Sequence, residues 1–328
     1  MTRDERRRWG IEALAAVLAV VAYHLNVFGV LFLLPLQWVY RRHGERPFLM
    51  VSMVVAVGIW GVAVLTKVVA HSLWSAADTV LLVFPLVLIA GWVVMVLLER
   101  LGWRFLYRLV AVTAACGLVL FPTVSGLLAQ PALMQVVEKS FDEVWKSASQ
   151  TPGVDFASLV GRVSEKEFFD LLKETFLGSF LTVLFLFWAF TGFVARVFTT
   201  PRELRTLKGF FLPSQGTWIL LGLWGLILIK FLLALKGVDW EWGGVEYVVA
   251  NLALIALVLH VAAGWGILHV LLDGWKVPRL GQTAVRVLLA LVLLTPVVGT
   301  WLVLGGLAGL AVLELWVNFR KRTQGVGL

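Results

Sequence analysis

The stretch Ile11–Tyr40, IEALAAVLAVVAYHLNVFGVLFLLPLQWVY, decides the fold. It is apolar almost throughout. As one straight helix it would measure about 45 Å, well beyond a hydrocarbon core of about 30 Å. Two full crossings need about 40 residues, so the stretch is long for one helix and short for two. His24-Leu25-Asn26 interrupts it. A second stretch, 283–318, poses the same question, with Thr295-Pro296 as its interruption. Between them lie six runs close to the length of one crossing: 51–66, 77–98, 108–128, 177–196, 215–235 and 245–271.

Charge placement chooses between one crossing and two. Most of the 28 lysines and arginines flank these runs, in the segments 3–8, 41–46, 100–108, 196–208, 276–286 and 320–322. All six segments share one side only if both long stretches are hairpins of two short helices, or re-entrant pairs of the same parity. The positive-inside rule therefore predicts ten crossings with both termini cytoplasmic. The expected fold is an all-α polytopic membrane protein whose first and last helix pairs are short hairpins. An N-terminal bundle covers 1–128 (spans 1–5) and a C-terminal bundle 175–328 (spans 6–10). Between them, 129–174 is expected as a small extracytoplasmic helical cap.

Composition leads to the same class. Of 328 residues, 60% are hydrophobic and 15% charged, against about 25% charged in soluble domains. This excludes a soluble globule and a disordered chain. The net charge of +8 sits in loops, with no basic groove carrying interleaved aromatics, so nucleic acid is not an expected partner. The single cysteine, Cys116, lies in an apolar run, which leaves no disulfide or cysteine metal site within one chain. The tryptophans, sixteen in all, gather near span ends as an aromatic belt.

The 129–174 segment is not a featureless loop. Leu133, Val137, Phe141, Val144 and Trp145 recur at helical spacing after Pro131, a favoured first helical residue. Ser164 to Glu167 reads as a capping box that opens a helix running into the 177–196 span. A weak internal repeat also emerges. Gly58-Ile59-Trp60-Gly61 leads to Lys67, and Gly222-Leu223-Trp224-Gly225 leads to Lys230. Ala90-Gly91-Trp92 precedes Glu99, and Ala263-Gly264-Trp265 precedes Asp273. Spans two to five thus mirror spans six to nine.

Ionisable and amide side chains inside spans are costly, and each is a candidate for function. Lys67, Asp78, Lys230 and Glu246 lie near span ends, where interface anchoring explains them. His24 and Asn26 occupy the tip of the first hairpin, and Asn251 and His260 lie on the 245–271 span. Positions 251 and 260 are two and a half turns apart and face opposite ways, so one helix does not unite them. Ala15 and Ala19 make a small-residue face suited to close helix docking, against a partner subunit or a neighbouring span. No metalloprotease helix, phosphate-binding loop or mid-span pair of carboxylates occurs, so no enzymatic chemistry, metal or cofactor is expected.

The C-terminus runs Gly305-Gly306-Leu307 to Leu315-Trp316-Val317-Asn318-Phe319-Arg320-Lys321, and a basic loop leads into Phe210-Phe211-Leu212-Pro213. With the helical insert before a long span, these features resemble the YybS-like family of bacterial membrane proteins. Glu314 stands at the place of that family's aspartate. The family's N-terminal region is similar to substrate-binding subunits of energy-coupling-factor importers. The resemblance implies a bacterial inner-membrane location and gives Ala15 and Ala19 a role in docking a transmembrane partner subunit. Together these readings predict solute recognition or transport of a small-molecule ligand, with a site built from His24, Asn26, Asn251 and His260. The alternative is a non-catalytic membrane scaffold or assembly factor.

Overall fold

His24 ends one helix and Leu33 begins the next, so the first apolar stretch is broken where its sequence is interrupted. The computed structural model describes residues 3–25, 31–71, 74, 76–149, 165–199, 210, 212–238, 242–294 and 298–319. Every element among them is an α-helix: α1 Arg3–His24, α2 Leu33–His43, α3 Glu45–Val69, α4 Ala76–Arg100, α5 Phe105–Leu128, α6 Pro131–Ser149, α7 Glu165–Thr199, α8 Ser214–Leu235, α9 Gly244–Gly274, α10 Arg279–Leu294 and α11 Val298–Val317. The second long stretch is likewise divided, between Leu294 and Val298.

Seven of these helices are long and apolar enough to cross a membrane: α3, α4, α5, α7, α8, α9 and α11. The other three helices of the expected ten exist but are shorter in apolar length. The first turns of α1 are spent on Arg3–Arg8, α2 has 11 residues, and α10 has 16. Eleven residues rise about 16 Å, half a hydrocarbon core. Ser164 of the expected capping box lies outside the described residues, but the helix from Glu165 does run on through the 177–196 run, because α7 is continuous over 35 residues.

The chain divides into two compact units, Met1–Thr199 and Thr200–Leu328. In the first, α2 packs against α1, α3 and α7. Leu33, Leu36 and Val39 are fully buried, so this short helix is held by packing rather than by its own length. Gly44, at φ +87°, makes the reversal from α2 into α3, a backbone region that glycine enters freely. Between α4 and α5, Gly102 (φ +75°) donates to Glu99 O and Trp103 N–H to Leu98 O, a helix-ending turn of the glycine type. Where α4 crosses its neighbours, a Cβ on Gly91 would lie 2.7 Å from Trp188 and 2.8 Å from Cys116 Sγ. Helix α6 lays Phe141 and Trp145 onto Phe168 of α7, so its apolar stripe is used within the chain.

Ion pairs fix which helix ends lie together. Arg8 bonds Glu12 at 2.9 Å and the His43 carbonyl at 3.1 Å. Arg100 meets Glu45 at 3.2 Å, and Glu99 takes both Arg108 and, at 3.9 Å, Arg41. The start of α1, the end of α2, the start of α3, the end of α4 and the start of α5 therefore share one end of this unit. The start of α1 and the end of α2 thus meet at one end of the unit.

In the second unit, α9 packs on α11 and α8, and α10 packs on α11. Gly264 touches backbone, since a Cβ there would stand 1.8 Å from the Leu307 carbonyl oxygen. Only glycine fits that crossing. The sequence repeat has a structural counterpart in the hairpins α3–α4 and α8–α9. Lys67 bonds Asp78 at 2.7 Å across the first, and Lys230 pairs with Glu246 across the second. A tryptophan stands four residues before each acid, Trp74 and Trp242. The likeness stops there. Helix α5 packs beside α4, whereas α11 takes the main place beside α9.

Candidate functional site

Helix α8 is almost wholly aliphatic, and its outward positions are exposed as lipid-facing residues would be. Only Thr217 and Leu220 are buried. Thr217 is 3% exposed, and its hydroxyl lies 3.2 Å from Nε2 of His260. His260 is itself 1% exposed and stands near the centre of α9. Its Nδ1 lies 2.7 Å from the Ala256 carbonyl. A carbonyl only accepts, so Nδ1 carries the proton, and in the neutral ring Nε2 accepts from Thr217. Both nitrogens are satisfied, and one of the two bonds ties α9 to α8.

Beside this pair lies a cavity of about 110 Å³ lined by Leu212, Thr217, Ala263, Ile267, Ala311, Glu314, Leu315 and Asn318. Its origin is local. Gly264 brings α9 and α11 into backbone contact, and the small side chains of Ala263 and Ala311 leave space next to that crossing. Phe210, Leu212, Leu271 and Phe319 pack against the apolar cluster of Ala263, Ile267 and Ala311. Glu314, in the last turns of α11, accepts the Phe319 N–H at 2.9 Å. Asn318 follows at φ +50° and is exposed. Polar atoms from α8, α11 and the residues after it thus meet one small space among apolar helices.

The residues expected to form the site fall in different places. His260 is buried and contacts the cavity residue Thr217 but does not itself line the cavity. Asn251 is fully buried on α9, and its Nδ2 donates to the Tyr247 carbonyl at 2.7 Å; it does not line the cavity. His24 is exposed at the end of α1 in the first unit, its ring against Tyr23. Asn26 lies outside the described residues. Ala15 and Ala19 are 4% and 0% exposed, so their face is covered by the chain's own helices and is closed to a second polypeptide. The physical reason is α2 and α3, which pack on α1.

Thr217, Glu314 and Asn318 were not among the expected site residues. Thr217 had a legible signal, as a hydroxyl inside the aliphatic run TWILLGLWGLILI, but threonine bonds its own helix too easily to stand out. Among the described residues no group of three His, Cys, Asp or Glu could hold a metal ion. No protein-family model, curated protein or solved structure matches the chain.

Proposed function

We propose that this chain is a non-catalytic inner-membrane protein of ten crossings, both termini cytoplasmic, that recognises or transports a small solute. The family relation proposed for it is the YybS-like one, on the terminal and loop motifs quoted above. The observation that carries the functional reading is the cavity of the second unit, where Thr217 and Glu314 bring polar atoms to a half-open space between apolar helices. Polar side chains set against apolar walls are retained at a cost, and a ligand site accounts for that cost. The ten-crossing arrangement is supported by the shared end of α1, α2, α3, α4 and α5, and by α10 and α11 forming a second returning pair. The 129–174 segment is its extracytoplasmic cap, with α6 docked on α7.

The test is thermal unfolding of the purified full chain in lipid nanodiscs against a panel of small cations, anions and neutral solutes. A ligand of the folded state raises the unfolding temperature in a saturable way. The rise should vanish in a Thr217→Val variant. A panel in which no solute shifts the transition removes the reading and leaves the scaffold role in its place.

A further inference from the structure

One end of the first unit carries more positive charge than its own acids take up. The start of α1, the end of α2, the start of α3, the end of α4 and the start of α5 meet there. Glu12 is bonded by Arg8, Glu45 by Arg100, and Glu99 by Arg108 and Arg41. Arg6, Arg42, Arg46 and Arg104 are exposed and have no acid partner among the described residues. Glu5 is the one further acid at this end with a described side chain, and it cannot balance four guanidinium groups. Arg42 lies over the Trp38 ring at 5.6 Å, a contact through its face that does not use its N–H donors. The far end of the unit differs. Lys67 is paired with Asp78 there, and α6 carries Glu138, Asp142 and Glu143 against Lys139 and Lys146.

The surface beside these arginines is apolar and aromatic. Trp9, Leu101, Trp103 and Tyr107 are all exposed. Trp9 follows Arg8 in α1, and Leu101 and Trp103 flank Gly102 in the turn between α4 and α5, next to Arg104. A soluble polyanion would meet the guanidinium groups and leave those side chains in water. A phospholipid covers both, with phosphate on arginine and acyl chain on the aromatic and aliphatic surface. Headgroup charge decides which phospholipid. A choline or ethanolamine headgroup brings its own cation to the same arginines. A phosphatidylglycerol headgroup has no such cation, and the planar guanidinium fork fits its phosphate oxygens.

We infer that this end of the first unit is a docking surface for anionic phospholipid headgroups, held by Arg6, Arg42, Arg46 and Arg104 beside the exposed aromatic rim. The inference goes beyond the recognition reading and does not depend on the cavity.

Lipid quenching at chosen sites of the full chain tests it. Cys116 is the single cysteine, so a Cys116→Ala, Leu101→Cys chain carries one thiol for a fluorescent label, close to Trp103. A Cys116→Ala, Val69→Cys chain carries the label at the far end of α3, where Val69 is also exposed. Each is placed in nanodiscs of phosphatidylglycerol and phosphatidylcholine in equal amounts, with dibrominated acyl chains on one lipid or the other. At Leu101 the brominated phosphatidylglycerol should quench at least about threefold more than the brominated phosphatidylcholine, and at Val69 the two should quench alike. Changing the four arginines to glutamine should equalise the quenching at Leu101. Changing them to lysine should keep most of the preference, and added salt should weaken it. Equal quenching at Leu101 overturns the inference. The same preference at both positions overturns it too, because net charge alone would then attract the lipid. So does a preference that survives the glutamine changes, or one that soluble glycerol phosphate abolishes, which would mark a site for free phosphate. If the glutamine chain fails to fold, the comparison of Leu101 with Val69 in the unaltered arginine background decides.

Discussion

His260 and Thr217 are joined across two helices by a 3.2 Å contact between Nε2 and Oγ1, and the imidazole's other nitrogen is already held by Ala256. Removing the hydroxyl leaves a buried ring nitrogen unsatisfied. Thr217→Val should therefore lower stability by about 1–2 kcal/mol, read by thermal unfolding in nanodiscs. The double variant Thr217→Val, His260→Leu should lie closer to the wild type than the sum of the two single losses, because the pair shares one interaction. Strict additivity would mean that the contact carries no energy.

Gly264 and Leu307 bring α9 and α11 together at backbone distance. Gly264→Ala must push α9 away from α11, and the expected loss is about 3 kcal/mol, at the upper end of overpacking costs. Gly222→Ala is the control. No atom lies within 4 Å of a Cβ there, and alanine's higher helix propensity should make the change neutral or stabilising by about 0.5 kcal/mol. Equal melting points for the two variants would contradict the crossing geometry.

Gln37 is 2% exposed, and both its amide oxygen and nitrogen lack a partner among the described residues. Buried polar atoms of this kind cost stability. Gln37→Leu should raise stability by about 1 kcal/mol, measured by the same unfolding assay. A loss of that size would instead reveal a polar partner that the substitution removes.

The two hairpin ion pairs, Lys67–Asp78 and Lys230–Glu246, are partly exposed on both sides, so each should contribute little. A double-mutant cycle on Lys67→Ala and Asp78→Ala should give a coupling of about 0.2–1 kcal/mol that shrinks with added salt. A cycle on Lys230 and Glu246 should give a similar value if the hairpins are equivalent. Coupling above that range in either hairpin would mark it as more than an anchor.

The Arg100–Glu45 and Arg41–Glu99 contacts put two basic segments at one end of the first unit. Single cysteines at Arg42 and Arg104, both exposed, should react with an impermeant thiol reagent from the same side of sealed vesicles, and one at Ala70 from the other. Opposite labelling of Arg42→Cys and Arg104→Cys would break the topology.

Much of this architecture was legible before any coordinates. Helices α1 and α10 end at His24 and Leu294, beside the interruptions that the sequence carries in its two over-long apolar runs. Basic segments predicted which helix ends cluster, since charge avoids lipid whatever the packing. Burial was not legible. Nothing in the composition of α2 says that it lies among α1, α3 and α7, and Ala15 and Ala19 look alike whether they face a partner or α3. Lipid and protein interior are both apolar, so hydropathy does not separate them. The site suffered from the same blindness. His260 stood out as a lone histidine in an aliphatic span, but helix crossings bring Thr217 to it and Glu314 to the cavity that Thr217 lines, and local pattern does not encode those crossings.

The enclosure of α2 has a consequence for biogenesis. Eleven residues are too few to be threaded across a bilayer and left there alone, and the surface they lean on includes α7, which begins only at Glu165. While the polypeptide is still emerging, the opening hairpin has no finished seat. That seat is complete only once α7 has been made. Truncations ending before Glu165 should accordingly be degraded quickly in cells, whereas those ending after Thr199 should accumulate.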